Sequence, residues 1–495
     1  MRLIRLFART SGLGAAVLAL FAAVGCGYGG HRTVVNTTGS YSNSSLNGTY
    51  VYEIHGFPFS SPYREIGAFT ADGAGNITAG SDDSSVNSGG LPVTYTGSYQ
   101  VFNDGTGFLQ FNNTALGGTI TLAIAVESSS KIKLIEADPF INSIGTAELQ
   151  TSTTAPAGTF AFRLHQEQAA PDTSKFSSDV GIINISGTSV TGGAFDENLG
   201  GSSSQLTITG GNFSAPGNMG RGSATITDNG PFSTTLVYYV VNSGKLILLV
   251  TNNGAIGSGT AEAQTGAVGN GLSGNYAFGS AGDDGFAPAG TATVGSFTAS
   301  GGAINPYTFD AMQDGNYSNG TDTGTLSASG NGRVAVTLNS NSPEVFWMVS
   351  PSRAFFLIED PNRVEDGTAD LQTAASFSNS TMKGQYALAM GGIDLSNISF
   401  GDLSRVGLMQ FDGTGTLALA EVANSSITGA GAQPPAGGDL TGTYQIDSST
   451  GRIVGNLSNN TSQLGLAMYA VSGSQAYAMQ AVPMGVTSGT VSLQH

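Results

Sequence analysis

The chain has 495 residues, of which 73 are glycine, 10% are charged and 39% are hydrophobic. This length exceeds one ordinary core and predicts three or four domains, while 25 Phe and 16 Tyr exclude a disordered chain. The net charge of −17, without basic clusters, excludes a nucleic-acid-binding surface and favours a soluble acidic exterior.

Residues 1–25 have the layout of an export signal. Three arginines precede an apolar run over residues 13–24, and this run is too short to span a bilayer comfortably. The run ends at Cys26, which is the only cysteine, so disulfides cannot stabilise the chain.

The segment AVGC (23–26) resembles the lipobox of bacterial lipoproteins, although Leu is commoner than Ala at its first position. The resemblance implies that Cys26 carries the lipid and becomes the mature N-terminus, with the lipid bilayer as a partner. Because Gly27 rather than Asp follows the cysteine, the family's sorting rule implies the outer membrane. Residues 26–45 then form a flexible tether.

A Gly-x-aromatic phrase opens each of four similar units. The phrases are LNGTYVY (46–52), AGTFAF (157–162), LSGNYAF (272–278) and MKGQYAL (382–388). In the first, Tyr50 and Tyr52 share one face, and Val51 and Glu53 share the other. This alternation predicts a strand with one buried side.

A six-residue motif ends each unit, after a hydrophobic hairpin. The motifs are GTAELQ (145–150), GTAEAQ (259–264), GTADLQ (367–372) and GTVSLQ (489–494). The repeat defines domains at 46–150, 157–264, 272–372 and 382–495. About eight strands with short connections in each domain predict an antiparallel meander.

The predicted fold is all-β, with four tandem meander domains. An eight-stranded meander leaves two edges unless it closes, and closure pairs the first strand with the motif strand. This favours small closed barrels over sandwiches. The opening phrase and the meander are similar to the lipocalin and avidin calycin barrels, a resemblance that names no ligand.

His55 and His165 stand seven residues after the opening glycines of units one and two. Units three and four have Ala281 and Gly391 at the same place, and both histidines fall on the face opposite the aromatic stripe. We interpret them as solvent-facing residues rather than metal ligands.

Asp360, Asn362 and Asp366 belong to the densest acidic segment, which follows Glu359 at a strand end. Paired acids can act in acid–base catalysis or bind Ca²⁺ through loop oxygens. Strand ends that meet water commonly carry acids, so the residues are only candidates for calcium. The sequence assigns no catalytic residue and no cofactor.

Trp347, Tyr239 and Tyr469 lie two places before a hairpin valine in units three, two and four. A position that stays large in several copies fills the same space, so we predict that these aromatics pack in the barrel cores. A ligand-facing role is the alternative.

These features together predict a lipid-anchored envelope protein with a non-enzymatic structural, adhesive or binding role, and an envelope glycan or protein as partner. One alternative is a carrier of small apolar ligands inside calycin-like barrels. The other is an extracytoplasmic enzyme with an acidic site near Asp360.

Overall fold

The computed structural model describes residues 41–57, 62–87, 92–112, 117–139, 141–168, 176–230, 233–252, 255–284, 290–340, 342–396, 401–483 and 485–495. The prediction of lipid attachment at Cys26 lies outside these residues. None of the helices in this part of the chain is long and apolar enough to cross a bilayer.

The described residues form thirty-two strands, eight in each repeat. Barrel 1 contains β1 (Asn47–Phe57), β2 (Tyr63–Asp72), β3 (Asn76–Ser84), β4 (Val93–Val101), β5 (Thr106–Asn112), β6 (Thr119–Ser128), β7 (Lys131–Glu136) and β8 (Asn142–Leu149). Barrel 2 contains β9 (Gly158–Gln168), β10 (Phe176–Ser186), β11 (Ser189–Leu199), β12 (Ser202–Phe213), β13 (Arg221–Asp228), β14 (Ser233–Asn242), β15 (Lys245–Val250) and β16 (Ala255–Ala263).

The third and fourth repeats follow the same plan. Barrel 3 contains β17 (Gly274–Asp284), β18 (Gly290–Ser300), β19 (Ala303–Gln313), β20 (Asn316–Ala328), β21 (Arg333–Leu338), β22 (Pro343–Ser350), β23 (Arg353–Ile358) and β24 (Arg363–Leu371). Barrel 4 contains β25 (Gly384–Asp394), β26 (Gly401–Phe411), β27 (Thr416–Ser425), β28 (Leu440–Ile446), β29 (Arg452–Ser458), β30 (Gln463–Ser472), β31 (Gln475–Gln480) and β32 (Gly485–Leu493). Short 3₁₀ turns lie at Asn43–Ser45, Ser85–Asn87, Asn218–Gly220, Val268–Asn270 and Asn379–Thr381.

Each repeat is a closed antiparallel barrel in which consecutive strands are neighbours. The first strand pairs with the last, so that Tyr52 lies opposite Ala147 in barrel 1 and Phe162 lies opposite Ala261 in barrel 2. The prediction of barrels rather than sandwiches is confirmed, and the six-residue motif supplies the closing strand. Closure removes the open edges that a flat meander would expose.

Aromatic side chains fill the barrel interiors. In barrel 1, Tyr50, Tyr52, Phe69 and Phe111 are fully buried, and the Phe69 and Phe111 ring centroids are 5.4 Å apart. The interior of barrel 2 leaves a space of about 10 Å³ between its apolar side chains, which is too small for an organic ligand.

The four barrels pack side by side into a closed ring. The first two strands of each barrel lie on the sixth and seventh strands of the next, as where Val51 and Ile66 of barrel 1 join Tyr239 of barrel 2 in one apolar cluster. The same arrangement recurs from barrel 2 to 3 and from 3 to 4. Barrel 4 returns to barrel 1, where Leu408 packs with Ile135.

Tyr239, Trp347 and Tyr469 are fully buried, but they lie between barrels rather than inside one. The reason is that their strands point them outward, into the face covered by the preceding barrel. Each donates a hydrogen bond to an aspartate of that barrel: Tyr239 to Asp83 at 3.0 Å, Trp347 to Asp196 at 2.8 Å and Tyr469 to Asp310 at 2.8 Å.

An arginine from the next barrel completes each of these three interfaces with two N–H donors. The Nε and Nη2 distances are 2.7 and 2.6 Å from Arg221 to Asp83, 2.8 and 2.6 Å from Arg333 to Asp196, and 2.6 and 2.5 Å from Arg452 to Asp310. At the fourth interface, Ala125 and Val422 occupy the places of the aromatic residue and the aspartate and belong to one apolar cluster.

Two of the four interfaces each contain an additional asparagine, whose side-chain amide donates hydrogen bonds across the interface. Asn198 of barrel 2 donates to the carbonyls of Ile358 (2.9 Å) and Arg363 (3.0 Å) in barrel 3. Asn424 of barrel 4 donates in the same way to barrel 1, with the Glu136 carbonyl at 2.9 Å. Interfaces with this asparagine (barrels 2–3 and 4–1) therefore alternate around the ring with interfaces that lack it.

The last residue of the six-residue motif fastens each barrel to the next. The side-chain amide donates to one carbonyl of the next sixth strand and to one carbonyl just before the fifth strand. These pairs are Gln150 with Val240 (2.6 Å) and Met219 (2.9 Å), Gln264 with Met348 (2.8 Å) and Asn331 (3.2 Å), Gln372 with Ala470 (2.8 Å) and Thr450 (2.9 Å), and Gln494 with Val126 (2.6 Å) and Asp104 (3.4 Å).

Replacing one of these glutamines should weaken one junction. We expect Gln372→Ala to lower the free energy of unfolding by about 1–3 kcal/mol, because two carbonyls lose their donors. Urea denaturation of the full chain followed by circular dichroism measures this. Gln445→Ala, on an exposed position of β28, is the control and should change stability by less than about 0.5 kcal/mol. Equal stability of the two variants would contradict the fastening role.

Candidate binding site at the ring axis

A cavity of about 210 Å³ lies where the four barrels meet. Every barrel lines it with the end of its first strand, and every barrel adds residues from its last strand. The first strands contribute His55, His165, Ala281 and Gly391, which occupy the same position in the four repeats. The repeat thus brings four equivalent positions to one axis.

The interpretation of His55 and His165 as solvent-facing residues agrees with the exposure of His55, but both side chains line the cavity between the barrels. The strand face opposite the aromatic stripe points toward the neighbouring barrels and the cavity. His55 is exposed, and the His165 side chain is 22% exposed. Alternation within one strand does not reveal that a second barrel covers the other face.

His165 and Arg163 of barrel 2 are held by two carboxylates of barrel 3. His165 Nδ1 lies 3.0 Å from Asp366 Oδ1, and its Nε2 lies 3.4 Å from Asp283 Oδ2. Arg163 Nη1 donates to Asp366 Oδ2 at 3.0 Å. The hydroxyl of Ser178 donates to the same carboxylate at 2.8 Å. These contacts fix the imidazole against the wall of the cavity.

The ionisation states of His165 and Asp366 follow from the contacts between them and their neighbours. Burial alone would lower the pKa of His165, but the hydrogen bonds and charges of Asp283 and Asp366 outweigh it and raise the pKa to about 10. Burial alone would raise the pKa of Asp366, but Arg163 and His165 hold it below its usual range. At neutral pH the site contains an imidazolium and a carboxylate.

We expect the His165 imidazole to stay protonated from pH 5.5 to 8.5. Its folded pKa of about 10 lies above the ordinary 6.5, so its contribution to stability is full below 6.5 and is lost as pH rises through about 10. Two-dimensional NMR of the imidazole nitrogens measures this. In Asp366→Asn the same signals should titrate at lower pH, and a wild-type midpoint near 6.5 would refute the assignment.

The opposite charges of barrels 1 and 2 also meet at the cavity. Arg64 Nη2 donates to Glu167 Oε1 at 2.7 Å, and both side chains are buried. Burial and then the charge of Arg64 lower the pKa of His55 to about 3, so this imidazole is neutral. Within the described part of the chain, no hydrogen bond engages the His55 ring.

Asp402 of barrel 4 lines the cavity close enough to Arg64 to feel its charge, but the two side chains do not form an ion pair. Its carboxylate forms no ion pair or hydrogen bond with the residues that the structure describes. Burial and the charge of Glu167 raise the pKa of Asp402 to about 8. Glu53 accepts a hydrogen bond from the Ser258 hydroxyl at 2.6 Å, and burial raises its pKa as well. The surrounding protein groups therefore stabilise the ionised forms of Asp402 and Glu53 only in part.

Three hydroxyl groups in the cavity wall lack partners among the described residues. Ser143, Ser404 and Thr291 are each at most 3% exposed, and none of their hydroxyl oxygens forms a hydrogen bond there. Buried hydroxyls normally find a partner because an unmet hydrogen bond costs about 1–3 kcal/mol. These three groups, from barrels 1, 4 and 3, can serve a ligand.

The calcium candidates lie in two different places. Asp360 and Asn362 belong to the turn between β23 and β24, where the Asn362 N–H donates to Asp360 at 2.8 Å. Asp366 lines the ring axis, where Arg163 and His165 neutralise it, which disfavours a metal ion there. Among the described residues, no group of three or more His, Cys, Asp or Glu is arranged to hold a metal ion.

Neither a protein family model nor a curated protein matches the chain. Solved structures with some similarity include transferrin binding protein B from Neisseria meningitidis, with 9% identity over 75% of this chain and 82% of that chain and a TM-score of 0.21. A mutant of the Haemophilus parasuis protein has 10% identity over 94% of this chain and 99% of that chain, also with a TM-score of 0.21. Similarities this low carry no argument about fold or function.

Proposed function

We propose that the chain is a lipid-anchored protein of the bacterial cell envelope that binds a small polar ligand at the ring axis and does not transform it. The observation that supports this is the 210 Å³ cavity to which all four repeats contribute and whose lining includes charged and hydroxyl side chains. Cys26 would carry the anchor, and residues 46–150, 157–264, 272–372 and 382–495 would be the domains of the ring.

Binding fits the cavity better than catalysis. The three charged bases at the axis, Arg64, Arg163 and His165, are engaged by acids of the lining, so none of them is free to polarise a substrate. Glu359 and Asp360 end a strand beside the barrel 2–3 interface, where Asn198 donates to the Asp360 carbonyl at 3.4 Å. The filled interior of barrel 2 disfavours an apolar carrier.

A fragment screen tests the binding site. Ligand-observed NMR would be run on the folded chain with polar fragments of up to about ten non-hydrogen atoms, in cationic, anionic and neutral sets. We expect at least one set to bind, and Ala281→Phe to abolish that binding by filling the cavity. Position 281 is equivalent to His55, so the strand accommodates a large side chain there.

The control variant is Val86→Phe, because Val86 is 56% exposed and lies outside the cavity lining. It should bind fragments as the wild type does. The proposal fails if no set binds, or if the bound fragments remain on Ala281→Phe.

The anchor requires its own measurement. Mass spectrometry of the mature protein should find an acylated Cys26 at the N-terminus, and Cys26→Ser should release the protein from the membrane fraction. An unmodified N-terminus at another residue would contradict the lipoprotein interpretation. This outcome would leave the cavity proposal intact.

A second candidate is adhesion to an envelope glycan or protein through an outer face. Strand β20 is the longest strand, at 13 residues, and most of its residues are exposed or half-exposed, including Tyr317. Exposed aromatic rings flanked by amides suit sugars and protein surfaces. Tyr317→Ala should then reduce binding on a glycan array and should not affect fragments at the axis.

A further inference from the structure

Carboxyl groups outnumber basic groups around the cavity. Its lining includes five acids, namely Glu53, Glu167, Asp283, Asp366 and Asp402. The charged bases are Arg64, Arg163 and His165, since His55 is neutral. The three bases are all bound to acids of the same lining. Glu53 and Asp402 are the two acids of this lining that form no ion pair with the described residues, although the charge of Arg64 acts on both.

The polar groups of the lining that have no partner indicate the chemistry of the ligand that would bind there. Asp402 offers carboxylate oxygens, and two residues further along β26 the Ser404 hydroxyl also lacks a partner. The neutral His55 ring of the adjoining barrel 1 offers a nitrogen acceptor in the same lining. Acceptor groups in excess call for a ligand that is rich in N–H donors and positively charged.

We propose that the ring-axis cavity binds a small organic cation with a primary ammonium group, held by Asp402 together with neighbouring hydroxyls of the wall. This identification rests on the proposed function and names the ligand class for the same site. The ammonium would supply the positive charge and the three N–H donors that this part of the lining lacks.

The volume of the cavity and the chemistry of its lining restrict the class of ligand. A volume of 210 Å³ corresponds to about seven water molecules at the density of the liquid, so the ligand is smaller than a drug-sized molecule. Among the described residues, the lining of the cavity includes no Phe, Tyr or Trp. A sugar would lack a ring to stack on, and a quaternary ammonium would lack a cation–π partner. A primary ammonium needs only oxygen and nitrogen acceptors.

The ionisation of Asp402 gives the binding reaction a signature. With its pKa raised to about 8, this carboxyl group is largely protonated at pH 7 in the empty cavity. A bound ammonium favours the carboxylate, so binding at pH 7 should release about one proton. Affinity should therefore rise with pH, by roughly tenfold from pH 6 to 7, and should level off above about pH 8.

Isothermal titration calorimetry of the full chain tests this with putrescine and ethanolamine as probes, and with acetate and glycerol as the anionic and neutral comparisons. Titrations in two buffers of different ionisation enthalpy count the protons. We expect both amines to bind, and Asp402→Asn to bind roughly thirtyfold more weakly or worse and to release no proton. Asp447→Asn, in an exposed turn of the same barrel, should behave as the wild type.

The pH dependence of the wild type serves as a second readout if Asp402→Asn fails to fold. Amine binding without proton release, or equally tight to Asp402→Asn, overturns the assignment. If glycerol or acetate binds and the amines do not, the cation proposal fails while the proposed function stands. If nothing binds and the fragment screen is also empty, both fail.

Discussion

Asp196→Ala should destabilise the ring more than a typical substitution, by about 3–5 kcal/mol. The Asp196 carboxylate is buried and accepts two N–H groups of Arg333 and the indole N–H of Trp347. Removing it leaves a guanidinium and an indole unpaired at the barrel 2–3 interface, and an uncompensated buried charge carries a penalty of this size. Urea denaturation of the full chain gives the free energy.

Fluorescence provides a second, local readout of the same change. Trp347 is the only tryptophan in the chain and is fully buried at this interface. We expect its emission to shift to the red in Asp196→Ala as water reaches the ring. The control, Asp72→Asn in an exposed turn of barrel 1, lies away from this interface and should leave the emission unchanged.

Replacing the interfacial partners together separates charge from packing. The double variant Asp196→Leu with Arg333→Met should recover part of the lost stability, because apolar side chains carry no burial penalty for charge. Unchanged stability and emission in the single variant would show that the interface does not depend on this ion pair.

Lys133→Met should stabilise the protein at neutral and acid pH. Lys133 is 1% exposed in the barrel 4–1 interface, where its Nζ donates to the Thr490 carbonyl at 2.9 Å and forms no ion pair with a carboxylate among the described residues. Burial lowers its pKa from 10.5 to about 7. The equivalent places in the other barrels hold Ile247, Phe355 and Tyr477, so an apolar side chain suits the position.

The pH dependence follows from linkage. Between about pH 7 and 10.5 the unfolded chain binds a proton at this lysine that the folded chain does not, so wild-type stability rises with pH across that window. The gain from Lys133→Met should be roughly 3–5 kcal/mol near pH 6 and should shrink toward zero near pH 10.5. Chemical denaturation of both proteins at several pH values measures the difference.

Lys131→Met is the matched control for this substitution. Lys131 lies on the same strand, but its side chain is 39% exposed and lies 3.6 Å from Glu127. We expect its replacement to change stability by less than about 0.5 kcal/mol. A gain from Lys133→Met that is constant with pH would show that the wild-type lysine does not lose its proton on folding.

The barrels could be predicted from the sequence because their causes are local. The alternation of Tyr50 and Tyr52 with Val51 indicates a strand with a buried side, and the recurring motif indicates a strand that must pair with it. Interfaces between barrels have no comparable signal. Tyr239 and Trp347 recur like core residues, and sequence does not distinguish the inside of a barrel from the space between two barrels.

The glutamine at the end of the motif is a residue whose role the sequence does indicate. Gln150 and its three counterparts end a strand, where packing in a barrel does not require an amide. An amide retained in four copies at such a place indicates a shared hydrogen-bond target. The cavity had a weaker signal, since the first two repeats have histidine (His55, His165) where the last two have Ala281 and Gly391, which suggests asymmetry of function rather than of fold.

Closure of the ring also limits how such a protein can change its length in evolution. An open stack of repeats can gain or lose a copy, provided that special end copies cover its exposed faces. In this ring each barrel is already in contact with two others, because Gln494 joins the fourth copy to the first. Each copy turns the array by about a quarter of a circle, so three copies would leave a gap and five would collide. The number of copies is therefore set by an angle rather than by chain length.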